Sequence, residues 1–151
     1  MKKFQFNLET VLSYKQQVLD ATQAEHGAIL VQLHRQEELL DEMWQRYYAY
    51  SEEYSAKCAA GMGITEVLSY QAGLRASERE IERETKVLEG IRKREEAKRN
   101  EVIEAKKDTS SIEKLKEKKL VAYQAAEAKS EELRVEEFVS SRSVVAAQAH
   151  S

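Results

Sequence analysis

Ala59-Ala60-Gly61-Met62-Gly63-Ile64 is the break on which this chain turns. A long helix-forming tract lies on either side of it, and the 151 residues contain no proline. Glycine just past a helix end is the usual left-handed stop. Thr65 is expected to N-cap the second helix, with Glu66 favourably placed in its first turn. Two long helices joined by a short turn form a hairpin, and a two-helix hairpin encloses no pocket. Its work must be done by its surfaces, at its ends, or by what it holds apart.

Reading backwards from the break, alternate steps of four and three mark out a coiled-coil seam. It runs Leu8, Leu12, Lys15, Leu19, Thr22, His26, Ile29, Leu33, Gln36, Leu40, Met43, Tyr47, Tyr50, Tyr54. Asn7 is a natural N-cap, so the first helix is expected over about 7–58 and the turn over about 59–64. Reading forwards, Val67, Tyr70, Leu74, Ser77, Ile81, Glu84, Leu88, Ile91, Glu95, Lys98, Val102, Ala105, Thr109 and Ile112 keep the spacing. After a small register shift, Leu115, Ala122, Ala126 and Leu133 carry it on. The second helix is expected over about 65–139. Ser110 and Glu113 have capping-box spacing, which allows a kink or restart at 107–111. The serine-rich end, 140–151, reads as a frayed tail.

The two tracts also agree with each other. If the turn centres on Met62, facing residues have numbers summing to about 123. Tyr54 then meets Tyr70, Leu40 meets Ile81, and Leu19 meets Val102. The polar seam positions Thr22 and His26 face Glu95 and Lys98. The fold class is therefore all-α: a long two-helix antiparallel coiled-coil hairpin, one domain over 1–151, with a C-terminal helical overhang.

Composition narrows the function. Charged residues make up 34% of the chain and aromatics 7%, with a formal net charge of -3. That is not the positive field of a dedicated nucleic-acid binder. Residues 92–119 do hold 11 basic and 7 acidic side chains. Their simplest reading is a solvated face with i,i+4 pairs such as Glu95–Arg99. No apolar run approaches the ~20 residues of a membrane span. The single cysteine, Cys58, excludes an internal disulfide. It is too far in sequence from His26, His34 and His150 to suggest a metal site or a nucleophile–base pair. No catalytic, cofactor-binding or metal-binding residues are expected, and no small-molecule substrate.

Two apolar groups stand out. Trp44, Tyr47, Tyr48, Tyr50 and Tyr54 crowd into eleven residues near the turn. Two helices cannot bury them all, and exposed aromatic clusters tend to mark protein-binding sites. Phe4, Phe6 and Leu8 at the start, with Leu133, Val135 and Phe138 near the end, form the second group.

The opening Phe4-Gln5-Phe6-Asn7-Leu8-Glu9-Thr10-Val11-Leu12 resembles the start of the FliJ family of flagellar export proteins. Tyr50-Ser51-Glu52-Glu53-Tyr54, a glycine-containing turn and Leu68-Ser69-Tyr70-Gln71 resemble its mid-chain region. The ending Glu131-Glu132-Leu133-Arg134-Val135-Glu136-Glu137-Phe138 is similar to its C-terminal segment. The resemblance implies a non-enzymatic part of the flagellar type III export apparatus. It would act as central stalk of a hexameric export ATPase, linking that ATPase to the membrane export gate and to export chaperones. It implies a cytoplasmic protein, peripherally associated with the membrane at the flagellar base. It also implies that Phe4, Phe6, Leu8, Leu12, Leu133 and Phe138 meet the ATPase ring, while Met43, Trp44, Tyr47, Tyr48, Tyr50 and Tyr54 meet the gate. A stalk from a virulence secretion system, a generic coiled-coil spacer and a nucleic-acid-binding hairpin are the alternatives.

Overall fold

The computed structural model of the chain describes residues 2–149. It contains two helices packed against each other, α1 (Glu9–Ala60) and α2 (Ile64–Ala149), and among the described residues no strand. α1 stops where glycine allows it to. Gly61 takes a φ of 103°, in the left-handed region, and its amide donates to the Cys58 carbonyl at 3.3 Å.

The helix starts differ from the sequence expectation. Leu8, not Asn7, caps α1, since its carbonyl accepts the Leu12 amide at 2.8 Å. Gly63, not Thr65, caps α2, its carbonyl accepting from Val67 at 3.1 Å. Cap glycines are tolerated nearly as well as hydroxyl residues. Starting at Gly63 also lets Ile64 and Thr65 join the helix.

No restart occurs at 107–111, where the hydroxyls of Thr109 and Ser111 are satisfied within the helix. Thr109 Oγ1 donates to the Ala105 carbonyl at 2.8 Å and Ser111 Oγ to Lys107 at 2.9 Å. This back-bonding to the preceding turn replaces the competing capping geometry. The expected frayed tail is helical through Ala149, and 150–151 lie outside the described residues.

The chain forms two compact units, each taking a stretch of both helices: Asp20–Glu104, and residues up to Leu19 with those from Ala105 onward.

In the unit Asp20–Glu104, the core is Leu40, Ile81 and Leu88, with Leu33, Met43 and Tyr47 packed against it. The expected register holds. Lys98 bonds Glu25 at 2.7 Å, His26 lies 3.0 Å from Glu95, and Tyr70 donates to Glu53 at 3.1 Å. The polar seam positions are satisfied rather than solvated. Glu95 is held by His26 on one oxygen and by Arg99 at 3.4 Å on the other. Gln36 donates to the Glu84 carboxylate at 2.6 Å and to its carbonyl at 3.0 Å.

In the other unit, Lys15 pairs with Asp108 at 3.6 Å and Lys116 with Glu9 at 2.8 Å. Thr109 is buried against α1. Here the seam runs through Ile112, Lys116, Leu120 and Tyr123, all half-buried, while Leu115, Ala122, Ala126 and Leu133 are exposed. The row expected from the apolar spacing is thus not the row that packs. Lys116 looks unsuited to a seam, yet its stem can cover apolar surface while its ammonium meets Glu9.

Candidate functional site

The aromatic residues near the turn separate into two groups according to their angle from the seam. Tyr50, Tyr54 and Tyr70 lie on it. Tyr70 stacks on Tyr50 with ring centroids 4.9 Å apart and on Tyr54 at 5.4 Å. Lys57 places its ammonium 5.2 Å from the Tyr70 ring. The hydrogen bond to Tyr70, and then that to Glu53, pushes the Lys57 pKa up. Gly73 makes the stack fit. A Cβ there would sit 2.7 Å from the Tyr50 hydroxyl oxygen.

Trp44 and Tyr48 lie off the seam, one turn apart. Trp44 is 40% exposed and Tyr48 59%. They stack at 5.5 Å, and both meet the Tyr47 ring edge-on, at 5.6 and 5.7 Å. Tyr47 is fixed by a 2.7 Å bond from its hydroxyl to Glu78. That carboxylate raises the Tyr47 pKa. Of the six residues assigned to this end, Met43 and Tyr47 pack on the core, Tyr50 and Tyr54 are engaged with Tyr70, and Trp44 and Tyr48 are free to be covered.

A feature missed in the sequence lies beside Met43. Leu39, Met43 and Arg46 of α1 and Ser77, Glu80, Ile81 and Glu84 of α2 line an open groove of about 300 Å³. The small Ser77 side chain, placed in the seam, leaves Met43 and Ile81 as its floor. Arg46 marks the α1 wall and two carboxylates the α2 wall. Such a groove suits an apolar side chain on a partner with charges on either side. A small seam residue among large ones, Ser77, was the available signal.

The second group of candidates does not form one patch. Phe6 is 8% exposed, while Phe4, Leu8 and Leu12 are half-buried. Residues 2–8 precede α1 and fold against α2. The Phe4 ring lies 5.5 Å from that of Tyr123, whose hydroxyl donates to the Lys2 carbonyl. The Lys119 ammonium sits 5.9 Å from the Phe6 ring. Leu133 and Phe138, in contrast, are 51% and 62% exposed. Five residues apart, they lie about 140° from each other around α2. Phe138 lines a shallow apolar cleft with Ser141, Val145 and Ala149, and Arg142 reaches over its ring at 5.7 Å.

Among the described residues, no group of three His, Cys, Asp or Glu side chains could hold a metal. No described helix is long and apolar enough to cross a membrane.

Two long helices packed against each other define the class: an all-α helical hairpin protein. The family model described as flagellar FliJ protein matches residues 4–147, and the chain belongs to that family. No curated protein and no solved structure matches the chain. Family membership makes it a component of the flagellar export apparatus, working among protein partners.

Proposed function

We propose that this protein is the central stalk and regulator of the hexameric flagellar export ATPase, and that it links that ATPase to the membrane export gate and to export chaperones. The observation that carries the reading is the reach of α2. The N-terminal segment packs against α2 as far as Tyr123, yet α2 continues to Ala149 with Leu133 and Phe138 exposed. A helix of this kind is suited to enter a ring. Full burial of each large side chain there is worth about 1.5–3 kcal/mol.

The mechanism is allosteric rather than chemical. A single asymmetric helix pair inside a six-fold ring touches its subunits unequally. It shifts their nucleotide states by its differential affinity for them. Trp44 and Tyr48, with the groove at Met43, are the surface for the gate. Through these contacts the protein works on the cytoplasmic side, peripherally associated with the membrane at the flagellar base.

The test is ATP hydrolysis by the cognate flagellar ATPase, with and without this protein, under conditions where rings assemble. Stimulation by the wild type and its loss in Leu133→Ala/Phe138→Ala is the expected result. Both side chains are exposed, so the variant keeps its fold. Absence of stimulation by the wild type overturns the stalk reading.

A further inference from the structure

Phe4 and Phe6 invite treatment as contact residues on the pattern of their sequence, and the structure gives them a different situation. Residues 2–8 form a non-helical strap running back over one row of α2, made of Lys116, Lys119 and Tyr123. Four separate interactions hold it. Tyr123 donates its hydroxyl proton to the Lys2 carbonyl and tilts its ring against Phe4 at 5.5 Å. Lys119 stands over Phe6, and Glu9, just after the strap, pairs with Lys116 at 2.8 Å. The strap closes on itself where the Glu9 amide donates to the Phe6 carbonyl at 3.2 Å. Phe6 is the most deeply buried residue of the segment.

We infer that Tyr123 is the clasp of an N-terminal latch, holding residues 2–8 against α2 so that Phe4 and Phe6 are positioning residues rather than partner contacts. This rests on the stalk reading only for its consequence. A closed latch holds the N-terminal segment on the part of α2 that precedes Leu133 and Phe138, and it buries Phe6 and half-buries Phe4, away from the surface a ring could touch. Tyr123 is suited to the role because one side chain supplies both a ring for Phe4 and a donor for a backbone carbonyl. Removing the hydroxyl leaves the ring contact, and removing the ring loses both. The neighbouring α2 residues Ala122 and Gln124 are exposed and offer no substitute.

The chain has three phenylalanines, Phe4, Phe6 and Phe138, which makes the test direct. Full-length protein carrying fluorophenylalanine gives three fluorine resonances, assigned by single Phe→Leu variants. The solvent isotope shift of each reports its exposure. In the wild type, Phe6 is expected to show a small shift and Phe138 a full one, with Phe4 between them. In Tyr123→Ala, Phe4 and Phe6 move to the exposed value of Phe138, while far-UV circular dichroism is unchanged. In Tyr123→Phe, they move part of the way. Phe4 and Phe6 resonances indifferent to Tyr123→Ala, or fully exposed in the wild type, overturn the latch. No ATPase enters this measurement, so its failure is distinct from failure of the stalk reading.

Discussion

Three glycines inside the helices of the unit Asp20–Glu104 provide a sharp test of the tyrosine packing near the turn. Gly27, Gly73 and Gly90 all sit in helical backbone, where replacement by alanine gains about 0.8–1 kcal/mol of helix propensity. At Gly27 and Gly90 a Cβ meets nothing within 4 Å, so that gain should appear in full. At Gly73 the Cβ would lie 2.7 Å from the Tyr50 hydroxyl oxygen and 3.0 and 3.1 Å from two ring carbons. Tyr50 must then leave its position over Tyr70. Overpacking of this kind costs about 1–3 kcal/mol, and the lost ring pair accounts for about 0.5–1.5 of it. Gly73→Ala should therefore be neutral to destabilising by about 2 kcal/mol, against a stabilisation of about 1 at the other two sites. Urea or thermal unfolding followed by circular dichroism reads the difference. Each kcal/mol moves Tm by about 2–4 °C in a chain of this size. Repeating the substitution in a Tyr50→Leu background should recover most of the gain. If Gly73→Ala raises Tm as much as Gly27→Ala does, the tyrosine stack is not what holds this end together.

Gly61→Ala should cost about 1–2 kcal/mol, since a φ of 103° is strained for any residue with a Cβ, and the same unfolding experiment measures it. Ile81→Ala should cost about 2–5 kcal/mol by opening the Leu40–Leu88 core. Leu133→Ala and Phe138→Ala, on exposed surface, should stay within about 0.5 kcal/mol of the wild type. Stability should fall as pH rises above the ordinary tyrosine and lysine values of 10.0 and 10.5. Tyr47 is raised by its bond to Glu78 and Lys98 by its bonds to Glu101 and Glu25, so the folded state holds these protons more tightly than the unfolded chain. Alkaline titration of Glu78→Gln by tyrosinate absorbance should show the Tyr47 component moving to lower pH, and an unchanged profile would contradict the assignment.

The hairpin was legible because two independent patterns had to agree. Apolar spacing placed Leu40 against Ile81, and the polar seam positions Thr22 and His26 fell opposite Glu95 and Lys98, so one register satisfied both. Gly61 was legible for a similar reason, since few residues other than glycine end a helix in the left-handed region. The misreadings came where one local signal stood alone. Thr65 stood out for its hydroxyl, but glycine caps a helix about as well as threonine, and the Gly63 carbonyl is the one that accepts the first helical bond of α2. Leu115 looked more like a seam residue than Lys116, because hydrophobicity does not count the stem of a lysine, and that one choice carried the rest of the row with it. The serines at 140–143 suggested fraying, although serine is neutral enough to continue a helix already formed. The strap was invisible for a different reason. Phe4 and Phe6 alternate like any extended segment, and nothing in that spacing points to Tyr123, more than a hundred residues away. The groove over Met43 was not legible because Ser77 counted only as a position that keeps the seam spacing, and spacing does not register how small the side chain there is.

The stacked pair Trp44–Tyr48 has an optical consequence. Trp44 is the chain's single tryptophan, and it stands half in water at one candidate surface. Its emission colour and its quenching by iodide or acrylamide are thus a label already in place, reporting on that surface alone. A partner that covers the tyrosine end must shift the emission to shorter wavelength and shield it from quencher. A partner that grips only the α2 tail must leave the signal as it was. Any binding titration with the unmodified protein therefore returns two answers: whether a partner binds, and at which surface.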